Sequence, residues 1–180
     1  MIVSAGRGES FDFAYPIGVG LVESTINLTR LALFDRPEFL LFIGSAGSYG
    51  DYAPFDIVTS KGAVNIELSF FEGRSYTPLD NAIVSEGFNV SHETLVNSSN
   101  YITTDKKSWK KFRSVNVGIE NMEFFSVLSV AREFNIPAAG VFVITNFCDE
   151  NAHEQYRKNI SEAMERLRKY IKDRFLREKS

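Results

Sequence analysis

The chain has 180 residues, 44% hydrophobic and 24% charged, with a net charge of −3. It is long enough to bury a full core without staples, and its weak negative charge does not favour general polyanion binding. The lone cysteine, Cys148, excludes an internal disulfide and suits a reducing cytoplasm.

Ile2 to Ala5 reads as a short strand running into the turn Gly6-Arg7-Gly8. Phe11 to Val19 alternates loosely around Pro16 and predicts a strand that bends. Gly18-Val19-Gly20 opens a helix over 21–34, where Leu21, Ile26, Leu28, Leu31 and Ala32 share a broad apolar face. Pro37 blocks its continuation. Phe39 to Ile43 is a buried strand, followed by the small-residue loop Gly44-Ser45-Ala46-Gly47-Ser48. Strands are expected over 55–60 and 63–71, a surface loop over 72–81, and short strands over 84–89 and 93–96. Thr104 or Asp105 caps a short basic helix carrying Trp109 and Phe112. Its Lys106, Lys107, Lys110, Lys111 and Arg113 read as a solvated face, not a nucleic-acid patch. Val115 to Ile119 is a strand, Glu120 to Phe134 a buried helix, and Ala138 to Ile144 another strand. The last helix, Ala152 to Phe175, has a stripe of Ile160, Met164, Leu167, Ile171 and Phe175. The alternation predicts one α/β domain over residues 1–180, a three-layer αβα sandwich with a central mixed, twisted sheet.

Three apolar runs end in small or polar residues: at Gly44 to Ser48, at Glu120-Asn121-Met122-Glu123, and at Thr145-Asn146. In α/β sheets ligands collect beyond the carboxyl ends of strands. These ends therefore place backbone donors, a carboxylate and an amide around one crevice. The two isolated histidines, His92 and His153, offer no metal site. No secretory leader is expected at Met1-Ile2-Val3-Ser4-Ala5, and no apolar run is long enough to cross a membrane.

Several of these motifs, in this order, resemble the nucleoside phosphorylase/nucleosidase superfamily. They are Pro16-Ile17-Gly18-Val19-Gly20, Gly44-Ser45-Ala46-Gly47 with the later Phe55-Asp56-Ile57-Val58, and Asn97-Ser98-Ser99-Asn100-Tyr101-Ile102. Asn121-Met122-Glu123 and Thr145-Asn146-Phe147-Cys148-Asp149 complete the set, so the resemblance covers about residues 16 to 175. It departs from the family pattern in three places. The βα unit that usually precedes the glycine junction is compressed into residues 1–15. Phe42 stands where an arginine is expected, and Asn146 stands where the general-acid aspartate is expected.

The resemblance implies the following roles. Glu123 clamps the ribose hydroxyls and offsets charge developing on the sugar, so it counts as catalytic together with Asn146. Read without the resemblance, Glu123 is a carboxylate answering a helix dipole. Met122 packs on the ribose or fills the core. Tyr101 stacks beside the base, the Ile102 backbone reads its edge, and Asn146 holds N7 and a 6-oxo group, with Asp149 assisting. Ser45 and the amides of Ala46 and Gly47 bind phosphate or position water, and Arg7 is the one remaining phosphate ligand near the start.

The leading expectation is a purine nucleoside phosphorylase-like enzyme, converting a purine nucleoside and phosphate to free base and ribose 1-phosphate. The alternatives are a hydrolytic nucleosidase of the methylthioadenosine/adenosylhomocysteine type and a catalytically weak nucleoside-binding homologue. No cofactor is expected beyond phosphate as co-substrate. The expected setting is cytoplasmic, with no nucleic-acid or membrane partner. The short N-terminus and 16 phenylalanines suggest a homodimer or larger homo-oligomer.

Overall fold

Two long strands, β3 (Leu40–Ser48) and β9 (Ala138–Phe147), run parallel at the middle of the sheet, Leu40 opposite Ala138 and Ser48 opposite Phe147. The computed structural model describes residues 1–87 and 90–176. Around this pair stand β1 (Ile2–Ser4), β2 (Tyr15–Pro16), β4 (Ile57–Ser60), β5 (Gly62–Val64), β6 (Ala82–Val84), β7 (Leu95–Asn97) and β8 (Val117–Glu120). The helices are α1 (Gly20–Phe34), α2 (Leu68–Phe71), α3 (Trp109–Arg113), α4 (Phe124–Glu133) and α5 (Ala152–Phe175). Strand order is β2-β1-β3-β8-β7-β5-β6, with β9 on the other side of β3 and β4 beyond it. β8 runs antiparallel to β3 and β4 antiparallel to β9, so the sheet is mixed.

Both central strands are apolar on both faces because each face is covered. Leu40 and Phe42 of β3, with Ala138, Phe142 and Ile144 of β9, pack under Leu28 and Leu31 of α1 and Val127 and Leu128 of α4. The alternate residues Leu41, Ile43, Ala139, Val141 and Val143 meet Ala163, Met164, Leu167 and Ile171 of α5. This period-2 division between two helical layers is the reason these strands read as continuous hydrophobic runs. The expected three-layer α/β architecture is the one observed.

Several boundaries differ from the sequence expectation, each for a local reason. The Gly44 to Ser48 segment is not a loop: it continues β3 and stays paired with β9 across a bulge at Ala46/Gly47. In place of a bent strand over 11–19, only Tyr15–Pro16 pairs, beside β1. The strand expected at 55 starts at Ile57, because Phe55 sits at φ 76°. The strand expected over 63–71 stops at Val64, since the Asn97 side chain takes both the N–H and the carbonyl of Ile66. The strand expected over 84–89 is observed at Ala82–Val84, and its residues 88 and 89 lie outside the described ones. Glu120 ends β8 and does not begin a helix. Asn121 Oδ1 accepts the N–H groups of Glu123 and Phe124, so α4 starts only at Phe124. Asp105, one of the two expected caps, accepts from Lys107 N and opens the turn that leads into α3.

Candidate active site

A cavity of about 400 Å³ opens where β1, β3, β8 and β9 end, closed on one side by the start of α5. Its size suits a small-molecule ligand. After β1 the chain turns back through Gly6 and Arg7, at φ 81° and 55°, and the Glu9 N–H donates to Gly6 O at 3.0 Å. The left-handed Arg7 is a costly conformation for a residue with a Cβ. The turn aims the Glu9 carboxylate at the centre of β3. There Oε2 accepts from Ser45 N at 2.9 Å and Oε1 from Ser45 Oγ at 2.5 Å. Gly44 makes the approach possible: a Cβ there would lie 2.9 Å from Glu9 Oε2. Burial pushes the Glu9 pKa up, and the two Ser45 bonds pull it back.

Glu123 is buried at the start of α4, and its Oε1 accepts from Gly20 N, the first residue of α1, at 2.8 Å. Gly20 is at φ 79°, and a Cβ on it would come within 2.8 Å of Asn100 Oδ1, which accepts from Leu21 N. The N-terminus of α1 is thus capped by side chains brought from distant segments. Burial is the main cause that raises the Glu123 pKa to about 7, and nearby Glu9 adds to it. Asn121 fixes the junction, its Nδ2 donating to Ser45 O at 3.0 Å.

The structure brings Ser45, Ala46, Gly47, Met122, Glu123, Tyr101, Ile102, Asn146 and Arg7 to this one cavity. Tyr101 and Ile102 stand at its mouth, 83% and 57% exposed. Asn146 is buried, with Oδ1 accepting from Thr145 Oγ1 and Nδ2 donating to Phe147 O. Asp149 is a correction. It does not line the cavity among the described residues, and its Oδ1 accepts from Asn151 N in the turn into α5. From the sequence, Ser45 and the amides of Ala46 and Gly47 are expected to bind phosphate or position water. Ala46 and Gly47 lie within the strand ladder, and both Ser45 donors are held by Glu9. Arg7 is largely solvent-exposed and pairs with Glu23 at 3.6 Å. Phe42, standing where an arginine is expected, is fully buried against Phe124 and Phe142.

Sequence reasoning missed Glu9, Glu120, His153 and Tyr156, all on the cavity wall. His153 and Tyr156 share a face of the first turns of α5, a spacing of three that was legible. Burial, then Glu9 and Glu123, raise the Tyr156 pKa. Glu9 carried one signal, as the carboxylate in the Gly-rich turn that ends the first strand.

A sequence model of the phosphorylase superfamily matches residues 2–176, and the chain belongs to that superfamily. Among curated proteins, none matches it in sequence. Among solved structures it is similar to a variant of Helicobacter pylori methylthioadenosine nucleosidase with 5′-methylthioadenosine in the active site. That match has 19% identity and a TM-score of 0.80, over 96% of this chain and 95% of the other. Futalosine hydrolase of Helicobacter pylori matches at 20% identity and TM-score 0.80, over 95% and 94% of the two chains. The Streptococcus pneumoniae 5′-methylthioadenosine/S-adenosylhomocysteine nucleosidase, bound to a transition-state inhibitor, matches at 15% and 0.76, over 94% and 95%. At these identities the likeness is one of fold. No helix among the described residues is long and apolar enough to cross a membrane.

Proposed function

We propose that the chain is a hydrolytic purine nucleosidase, with water attacking the anomeric carbon where a phosphorylase would use phosphate. The sequence ranks phosphorolysis first and hydrolysis second. One observation carries the reversal: Glu9 occupies both Ser45 donors, so the place assigned to an anion already holds a carboxylate. Glu123 adds a second carboxyl group to the same cavity, and Arg7, the one Arg or Lys among its described lining residues, turns outward to Glu23. A phosphate dianion would meet like charge with little to offset it. The solved nucleosidases and hydrolase of the same fold support this choice.

Breaking the glycosidic bond builds positive charge on the ribose and negative charge on the base. Glu9 accepts a proton from the attacking water. Its two Ser45 bonds hold it in place, and its raised pKa brings it nearer to neutral pH, where a general base works best. Glu123 accepts from the ribose hydroxyls and, as the carboxylate, stabilises the developing cation. Met122 packs against the sugar, Tyr101 and Ile102 border the base, and Asn146 hydrogen-bonds its edge. The chain is assigned no cofactor and, as a further proposal, acts as a homo-oligomer.

The test is base release from inosine, guanosine, adenosine and methylthioadenosine, each with and without phosphate. The reading expects free ribose or its 5′-substituted analogue as product, at rates that phosphate does not raise. Ribose 1-phosphate as the main product would restore the phosphorylase assignment.

A further inference from the structure

Among the described residues three carboxyl groups line the cavity, and the proposed hydrolysis uses Glu9 and Glu123. The third, Glu120, ends β8 in a particular register. Gly47 of β3 lies opposite Glu120 on one side and opposite Asn146 of β9 on the other. All three positions line the cavity, forming one row across the sheet. Neighbouring strands are about 4.8 Å apart, so the outer two backbones stand about 10 Å apart, and the middle position carries no side chain of its own. A Cβ on Gly47 would lie 2.8 Å from Cys148 Sγ, 3.1 Å from Asn146 Nδ2 and 3.4 Å from Glu120 Cγ. The glycine therefore leaves a gap floored by the Cys148 thiol, which hydrogen-bonds to Glu120, and Glu120 and Asn146 converge over it.

Glu120 is anchored from behind. Its Oε2 accepts from Tyr49 Oη at 2.6 Å, and its Oε1 accepts from Thr103 N at 2.9 Å. Tyr49 is itself fully buried and stacked on Phe112 at a centroid distance of 4.3 Å. Asn146, by contrast, is an amide and has no proton to deliver to a leaving base. Its Nδ2 faces the Gly47 gap and can only hold the base edge by hydrogen bonding.

We propose that Glu120 is the proton donor to the leaving purine, acting across Gly47 on the edge that Asn146 holds. The assignment rests on the nucleosidase reading above. As the C1′–N9 bond breaks, its electron pair goes to the base, and the Glu120 O–H proton passes to N7. The water oxygen bonds to C1′ and its proton goes to Glu9, so nucleoside and water become base and ribose. Glu120 is left as a carboxylate, which the Tyr49 hydroxyl and the Thr103 N–H then stabilise. Burial raises the pKa of this carboxyl against the bonds from Tyr49, from the Thr103 hydroxyl and N–H and from the Cys148 thiol, which keeps it protonated further towards neutral pH.

The experiment compares two substrates. Inosine needs a proton on its leaving base, and 4-nitrophenyl riboside has a leaving group that departs as a stable anion. In Glu120→Gln, kcat for inosine should fall by about 10²- to 10⁴-fold, with 4-nitrophenyl riboside within about threefold of wild type. Retained turnover of the second substrate also shows that the variant is folded. Tyr49→Phe keeps the carboxyl but removes a donor to its anion, so the limb of the inosine pH–rate profile set by the acid should move to higher pH. Equal losses on both substrates, or no loss on inosine, would overturn the assignment while leaving the nucleosidase reading intact. A wild-type chain that cleaves neither substrate overturns that reading, and this one with it.

Discussion

The carboxylate of Glu9 accepts both the amide and the hydroxyl proton of Ser45, tying the turn after the first strand to the middle of the sheet. It is the contact from which hydrolysis is proposed over phosphorolysis. Glu9→Gln preserves shape but cannot take a proton from water, so kcat should drop by about 10²- to 10⁴-fold with purine nucleosides. Ser45→Ala leaves the amide bond in place and should cost less, on the order of tenfold. Initial rates of base release measure both. Activity of Glu9→Gln close to wild type would remove Glu9 from catalysis.

Glu123 links activity to stability. Its pKa of about 7 in the fold, against an ordinary 4.5, means the native state binds more protons than the unfolded chain between those values. Stability should therefore fall as pH rises from 4.5 to about 7 and level off above it. At about 1.4 kcal/mol per pH unit the penalty approaches ~3 kcal/mol. Glu123→Gln should lose activity yet unfold at higher urea than wild type at pH 8, with little difference at pH 4.5. Urea titrations at the two pH values check the sign. A variant less stable than wild type at pH 8 would contradict it.

Base preference should follow Asn146. The Thr145 hydroxyl holds Oδ1, and Nδ2 gives one N–H to Phe147 O and faces Gly47, so its second N–H is left for the base. That group suits O6 of a 6-oxopurine and meets the adenine amino group donor to donor. A buried mismatch costs about 1–3 kcal/mol. Inosine or guanosine should be cleaved in preference to adenosine, and Asn146→Asp should shift the preference towards adenosine. Competition assays with paired substrates decide the point, and faster release of adenine by the wild type would refute it.

Assembly is expected through α1. Val22, Ile26, Leu33 and Phe34 are 67%, 50%, 53% and 82% exposed, and the first three share one helical face. Such a stripe resembles an interface more than a solvated surface. The wild type should sediment as a dimer or larger at micromolar concentration, and Val22→Glu with Ile26→Glu as a monomer. An active monomeric wild type would end this expectation.

The architecture was legible because burial on both faces writes itself into β3 and β9 as unbroken apolar runs, and α5 carries its stripe openly. Ser45 and Asn146 at the ends of those runs, and Glu123 beyond β8, were legible as a cluster for the same reason. The small-residue segment 44–48 was not legible as strand. Gly, Ser and Ala have weak β preference, and only the pairing with β9 holds them extended. Asn121 likewise moved the start of α4 through bonds that no periodicity encodes.

By itself the sequence determined the layered α/β fold and which strand ends meet, since both follow from local hydrophobic pattern. The tertiary structure alone decided which groups face one another. Glu9 reaches Ser45 because a left-handed turn and a missing Cβ at Gly44 let it in. Glu120 stands across from Asn146 because of strand register through Gly47. Both depend on pairing between residues far apart in the chain, and such pairing leaves no periodic trace in the residues that it joins.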